Sequence, residues 1–273
     1  MLKKRIIFTL LYDSGNFMLS RNFRLQQVGN LTWLQRNYNF SHIAFFIDEL
    51  IILDVSRGER NTDNFCETLK KLTSDCFVPI AAGGGVRSID YARRLLRSGA
   101  DKIVINTPLF EDQDLVRDLV KEFGQQCVVG SVDIKRDNSS QYHIYTNNGK
   151  NKIEEKPVDA LKSVTKQWIG ELYLNSIDQD GTGQGYDLAL LDQIPTSCSV
   201  PIIIAGGVGN SNHLAEGFAE KKVDAVATAH LFNFIGNGLQ SAREALLTQG
   251  AQLAVWPDVS ESFLQKNKDE TKS

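Results

Sequence analysis

Val78-Pro79-Ile80-Ala81-Ala82-Gly83-Gly84-Gly85-Val86 is matched 122 residues further on by Val200-Pro201-Ile202-Ile203-Ile204-Ala205-Gly206-Gly207-Val208. Each copy is a short apolar run that stops at a glycine turn, the form of a strand covered on both faces. Carried backward, the same offset places Glu49-Leu50 on Glu171-Leu172; carried forward, Ala100-Asp101 meets Val223-Asp224 after a slip of one residue. Two equivalent halves are implied, rather than two unrelated domains.

Outward from this repeat, apolar runs rich in Ile and Val predict strands over Arg5–Leu11, Leu50–Val55, Val78–Ala82, Lys102–Asn106, Cys127–Ile134, Leu172–Ile177, Val200–Ala205 and Ala225–Ala229. Segments of helical period stand between them. In Ser88–Arg97, Ile89, Ala92, Leu95 and Leu96 make an apolar stripe, with Ser88 as cap and Ser98-Gly99 as stop. Eight βα units in two matching halves predict a (β/α)8 barrel, which takes about 250 residues. The expected division is one barrel over residues 1–256, with halves of about 1–123 and 124–256, and a polar tail over 257–273. Asp137–Lys156 lies outside the repeat and reads as a small hairpin on the barrel rim.

The 30 Lys and Arg against 33 Asp and Glu give a net charge of −3, with the basic residues scattered. That lacks the footprint of a nucleic-acid-binding protein. No apolar stretch reaches the roughly 18 residues of a membrane helix. Cys66, Cys76, Cys127 and Cys198 stand far apart, with no metal-ligand spacing. They read as reduced thiols of a cytoplasmic protein, and neither a metal nor a cofactor is called for.

In a (β/α)8 barrel ligands bind beyond the C-terminal ends of the strands. Gly83-Gly84-Gly85 after the third strand and Gly206-Gly207 after the seventh allow backbone N–H groups to approach a phosphate. Their recurrence on opposite sides of one mouth points to a small molecule phosphorylated at both ends. Asp133 ends the fifth strand between them, placed for general acid or base chemistry. Its repeat mate, 122 residues earlier, is Leu11. At the other end of the barrel, Arg5, Glu49, Lys102 and Glu171 open four strands with charges of mixed sign; from spacing alone they read as an ion-pair ring closing the base.

Together, Lys4-Arg5-Ile6-Ile7, Glu49-Leu50 with Leu53-Asp54, Gly83-Gly84-Gly85-Val86, Gly99-Ala100-Asp101-Lys102 with Ile105-Asn106-Thr107, Val132-Asp133-Ile134-Lys135-Arg136, and Ser176-Ile177-Asp178-Gln179-Asp180-Gly181-Thr182 with Gly185-Tyr186-Asp187 resemble the cyclase subunit of imidazole glycerol phosphate synthase. The resemblance runs from Lys3 to about Phe234. It implies a barrel bound to a glutaminase subunit as a heterodimer, with ammonia passing through the barrel to a bis-phosphorylated nucleotide at the mouth. By resemblance, Asp133 is the second of two catalytic aspartates. Gly84, Gly85, Asn106 and Thr107 match one phosphate site, and Asp180, Gly181, Gly207 and Ala229 the other. Arg5, Glu49, Lys102 and Glu171 match a charged ammonia gate, and Asp101 matches a glutaminase contact.

The chain departs from that pattern at four places. Leu11 replaces the first catalytic Asp, Leu19 a substrate-contacting Lys, and Ala205 and His230 two serines. The gate is kept while half of the acid/base pair is missing. The pattern resembles a branch that works with a glutaminase-like subunit and a separate sugar amidotransferase in bacterial surface polysaccharide (LPS) synthesis, where ammonia converts an N-acetyl group to an acetamidino group. The expected function is a cyclase-type subunit diverged to that task. The alternatives are an authentic histidine-pathway cyclase that uses Asp13, and a non-catalytic scaffold.

Overall fold

The computed structural model describes residues 3–38, 45–167, 169–230 and 237–254. In chain order the first half contains β1 (Arg5–Asp13), β2 (Asn16–Arg21), β3 (Arg24–Asn30), α1 (Leu31–Asn37), β4 (Glu49–Asp54), α2 (Thr62–Asp75), β5 (Ile80–Gly83), α3 (Ile89–Arg97), β6 (Lys102–Ile105), α4 (Pro108–Glu111) and α5 (Gln113–Phe123). The second contains β7 (Val128–Arg136), β8 (Tyr142–Thr146), β9 (Asn151–Lys152), α6 (Pro157–Lys166), β10 (Glu171–Ser176), β11 (Ile202–Ala205), α7 (Ser211–Ala219), β12 (Ala225–Thr228) and α8 (Gly238–Thr248).

Strands β1, β4, β5, β6, β7, β10, β11 and β12 pair in parallel in that order, and β12 pairs back onto β1. The eight strands thus close a (β/α)8 barrel. All eight predicted strands are present, with ends displaced by no more than two residues. The pairings obey the repeat: Ile7 faces Glu49 and Leu11 faces Leu53, while Val129 faces Glu171 and Asp133 faces Asn175. The expected tail over 257–273 lies outside the described residues.

Inside the barrel, Ile7, Ile51, Ala81, Val104, Val129, Tyr173, Ile203, Ala205, Ala225 and Ala227 form a buried cluster. Four of them are alanines, and their small volume leaves room for the ring of Tyr173, whose hydroxyl lies 3.4 Å from that of Thr9. The outer faces of the strands pack under the helices. In α3 the Ser88 hydroxyl accepts from the Tyr91 N–H, Ala92 and Leu95 are buried, and the chain leaves the helix through Ser98 and Gly99 as expected. Asp112 caps α5 in the same way, accepting from Leu115 N–H.

Two hairpins stand above the barrel's C-terminal rim. The predicted rim hairpin is formed by β8 and β9, with β8 antiparallel to the upper part of β7. The other, β2–β3, extends β1 upward and is joined by a turn in which Asn22 and Phe23 both have positive φ, 48° and 63°.

Candidate functional site

The C-terminal ends of the barrel strands and the β2–β3 hairpin enclose a cavity of about 250 Å³. Asp133, on β7, faces it from between two amides. Asn106, beyond β6, donates to one carboxylate oxygen at 3.1 Å, and Asn175, on β10, donates to the other at 2.9 Å. Desolvation pushes the Asp133 carboxyl up to about 7, against the pull of the Asn175 hydrogen bond, with the Asp180 charge adding to the rise. Asp133 therefore exchanges a proton near neutrality, as an acid/base group requires.

The position related to Asp133 by the repeat is filled by Leu11, which is buried and lines the same cavity. Leu19, from β2, lines it too. Asp13 does not; it begins the turn into β2, where its carboxylate accepts from the Ser14 hydroxyl at 2.8 Å.

Both glycine turns lie at the cavity wall. A side chain at Gly84 would have its Cβ 2.1 Å from the Asp54 carbonyl oxygen, and one at Gly207 would stand 1.9 Å from that of Gly185. With φ of +103° and +104°, both turns demand glycine whether or not a phosphate binds. Beside Gly85 lies the Arg60 side chain, whose Nε is 3.7 Å from the buried Asp54 carboxylate. Arg57 and Arg87 also line the cavity on this side. A search for backbone donors in the sequence passes over these three arginines, although Arg57 and Arg60 stand three and six residues beyond Asp54, the end of the second barrel strand.

The other predicted phosphate contacts divide between ligand-facing and structural tasks. Asn106 commits its amide N–H groups to the Ser131 carbonyl and to Asp133. The Thr107 hydroxyl accepts from the Asn147 N–H at 3.3 Å, which ties the β8–β9 hairpin to the rim. Across the mouth, one Asp180 carboxylate oxygen accepts from the Ser20 hydroxyl and from the Phe23 N–H at 3.0 Å, while Asn22 Nδ2 donates to the carbonyls of Ile177 and Asp178. Asp180 is thus a latch for the β2–β3 hairpin. Gly181, Gly207 and Ala229 line the cavity beside it, with His230, whose imidazole is pushed by burial toward its neutral form.

At the opposite end of the barrel the four predicted charges meet. Arg5 lies 2.9 Å from Glu49 and 2.8 Å from Glu171; Lys102 lies 2.9 Å from Glu49 and 3.1 Å from Glu171. Each cation touches both anions, so the ring is closed. Glu49 is 2% exposed, and desolvation raises its pKa although Lys102 and Arg5 pull it down. Asp101, exposed next to the ring, accepts from the Ile80 N–H at 2.8 Å; its repeat mate Asp224 does the same for Ile202 at 2.9 Å. Capping the neighbouring strand is a structural task the two share.

Residues 32–236 match the family described as "Histidine biosynthesis protein". A Parasynechococcus marenigrum protein, provisionally named imidazole glycerol phosphate synthase subunit hisF2, is 44% identical over 98% of this chain and 100% of its own length. Imidazole glycerol phosphate synthase subunits HisF of Chlorobium limicola and Chlorobaculum parvum are 34% and 35% identical, each over 92% of this chain and 98% of their own. A closed (β/α)8 barrel with a duplicated glycine turn, a partly buried carboxyl at the mouth and similarity along nearly its whole length to these subunits places the chain in the histidine-biosynthesis protein family, among the HisF subunits of imidazole glycerol phosphate synthase.

Proposed function

We propose that the chain is the barrel subunit of a glutamine amidotransferase complex, that it receives ammonia from a HisH-like glutaminase through the Arg5–Glu49–Lys102–Glu171 ring, and that it has diverged from cyclisation toward acetamidino-sugar formation in surface polysaccharide synthesis, alongside a sugar amidotransferase. The observation that carries the divergence is Leu11, in the mouth at the repeat position of Asp133. Cyclisation to an imidazole needs a proton taken from one atom and given to another. Asp133 serves one of these transfers and a leucine side chain serves neither. General acid or base catalysis is worth about 10²–10⁴-fold, so the loss of one partner disables the reaction. Asp101 and the ring lie on the barrel face where a glutaminase would deliver ammonia.

The assay supplies ammonium chloride and the bis-phosphorylated aminoimidazole carboxamide ribulosyl nucleotide, which bypasses the glutaminase and the ring. The expected turnover is at least about 100-fold below that of a working cyclase. Leu11→Asp with Leu19→Lys restores cyclisation, and adding Asp133→Asn removes it again. A parent turnover within the usual range of about 1–10³ per second overturns the proposal. It would establish the second reading, a histidine-pathway cyclase, which is favoured by the full-length similarity to HisF subunits and by the retained ring and glycine turns.

A further inference from the structure

Among the strand-end residues facing the mouth, the repeat sets three polar side chains against three apolar ones, while Thr9, Asp54, Thr228 and His230 add polar groups around the apolar three. Asn106, just beyond β6, stands beside Asp133 on β7 and Asn175 on β10, the three joined by the two amide hydrogen bonds to the carboxylate. Their repeat mates are Ala229, just beyond β12 and matched through the one-residue slip of that strand, Leu11 on β1 and Leu53 on β4. All six line the same cavity. Leu11 and Leu53 are register partners on adjacent strands, and Leu19 and Leu25 from the hairpin continue the apolar wall upward. The polar trio is thus answered by an apolar trio across the barrel axis. The Gly84-Gly85 turn with Arg60 lies at the edge of that wall, since Gly84 packs directly on the strand end that carries Leu53 and Asp54.

We infer that the mouth takes a phosphorylated small molecule carrying an apolar group, with the phosphate at Gly84, Gly85 and Arg60, the apolar group against Leu11 and Leu53, and the reacting centre turned toward Asp133. This rests on the reading of the mouth as a phosphate site, and it is independent of the ammonia route. The physical reason is orientation. A hydroxyl-rich ligand set against Leu11 and Leu53 gives up hydrogen bonds to water and regains none there. An alkyl or acyl substituent gains from the same burial. A ligand with one polar and one apolar side therefore binds in a single orientation, which presents the same face to Asp133 each time.

Calorimetric titration of the full chain with methyl, n-butyl and n-hexyl phosphate and with glycerol 3-phosphate tests this without glutaminase or ammonia. All four carry the same phosphate, so differences report the wall. Each buried methylene is worth about fourfold in affinity, corresponding to ~0.8 kcal/mol. The expected result is butyl phosphate at least about tenfold tighter than either methyl or glycerol phosphate. Leu53→Asn and, separately, Leu11→Asp reduce that preference to about twofold or less, and Arg60→Ala weakens every phosphate together. Equal binding of butyl and glycerol phosphate overturns the inference, as does a preference unchanged in both wall variants, or no binding by any of the four. A working cyclase that still prefers butyl phosphate would overturn the proposed divergence and leave the apolar wall standing.

Discussion

At the scale of single residues, the identity of the side chain at position 11 separates this barrel from a symmetric one. Leu11 and Asp133 occupy equivalent strand positions, yet one adds apolar surface and the other a carboxyl whose pKa burial raises to about 7. Because the raised value belongs to an acid, the folded state holds its proton between about pH 4 and about pH 7, where the unfolded chain has lost it. The stability contributed by the protonated carboxyl is present below about pH 4 and is lost as pH rises through about 7. Carboxyl carbon NMR should therefore place the Asp133 midpoint near 7, and Asn175→Leu should move it higher, since the Asn175 amide favours the anion. A parent midpoint near 4 would remove Asp133 as an acid/base group for neutral pH. The glycines carry a second lesson. A bulky residue at Gly84 or Gly207 collides with backbone, so loss of ligand protection in such variants would report damage to the fold, and Arg60→Ala is the cleaner probe of the same site.

Among the elements, the β2–β3 hairpin decides how enclosed the mouth is. Its turn places Phe23 at φ 63°, a conformation unfavourable for an aromatic residue. Asp180 holds that turn down through its carboxylate, which accepts from the Ser20 hydroxyl and the Phe23 N–H, and through its carbonyl, which accepts from the Asn22 N–H. Asp180→Ala takes the acceptor from both the Ser20 hydroxyl and the Phe23 N–H and frees the hairpin locally. Amide exchange at Asn22 and Phe23 should accelerate about tenfold, the equivalent of one hydrogen bond of about 1.4 kcal/mol, while the barrel strands keep their protection. Equal acceleration in β7 and β10 would mean that Asp180 supports the barrel rather than the hairpin.

For the molecule as a whole, the charged ring and the glycine-bounded mouth form the two ends of one barrel. The ring has no net charge, and its members are partly or fully withdrawn from water, so its cost is felt when one partner is removed. Lys102→Met should lower unfolding stability in urea by about 3 kcal/mol at neutral pH. The loss should shrink as pH falls, because Glu49, already raised by burial, then takes up a proton and no longer needs its counterion. Adding Glu49→Leu to Lys102→Met should recover part of the loss. In the complex with a glutaminase, Lys102→Met should also reduce the aminated product formed per glutamate released; an unchanged ratio would show that the ring closes the barrel without gating it. At the same end, Arg243 of α8 grips the buried Asp48 carboxylate with two contacts of 2.9 Å, anchoring this helix beside the first strands.

Much of this was legible in residue order. The repeat of Val-Pro-Ile and the glycine turn settles the barrel and its halving, because parallel strands covered on both faces must be almost continuously apolar and must end where the chain turns. It also places Asp133 opposite Leu11, since strand pairings in the two halves follow one offset. The β2–β3 hairpin left little trace: its turn reads Asn22-Phe23 where a glycine would have announced it, and contacts from Asp180, more than 150 positions away, hold the turn in place. The tasks of individual polar residues were hidden for the same reason. Asp180, Thr107 and Asn106 look alike as ligand candidates in a string of letters, but hydrogen bonds between distant strands commit the first to a latch, the second to a rim hairpin and the third to Asp133. A local pattern determines which side chains reach the mouth; only the closed barrel, by bringing β6 against β7, β7 against β10 and β1 against β4, decides which polar atoms are already paired there and that Leu11 and Leu53 lie together.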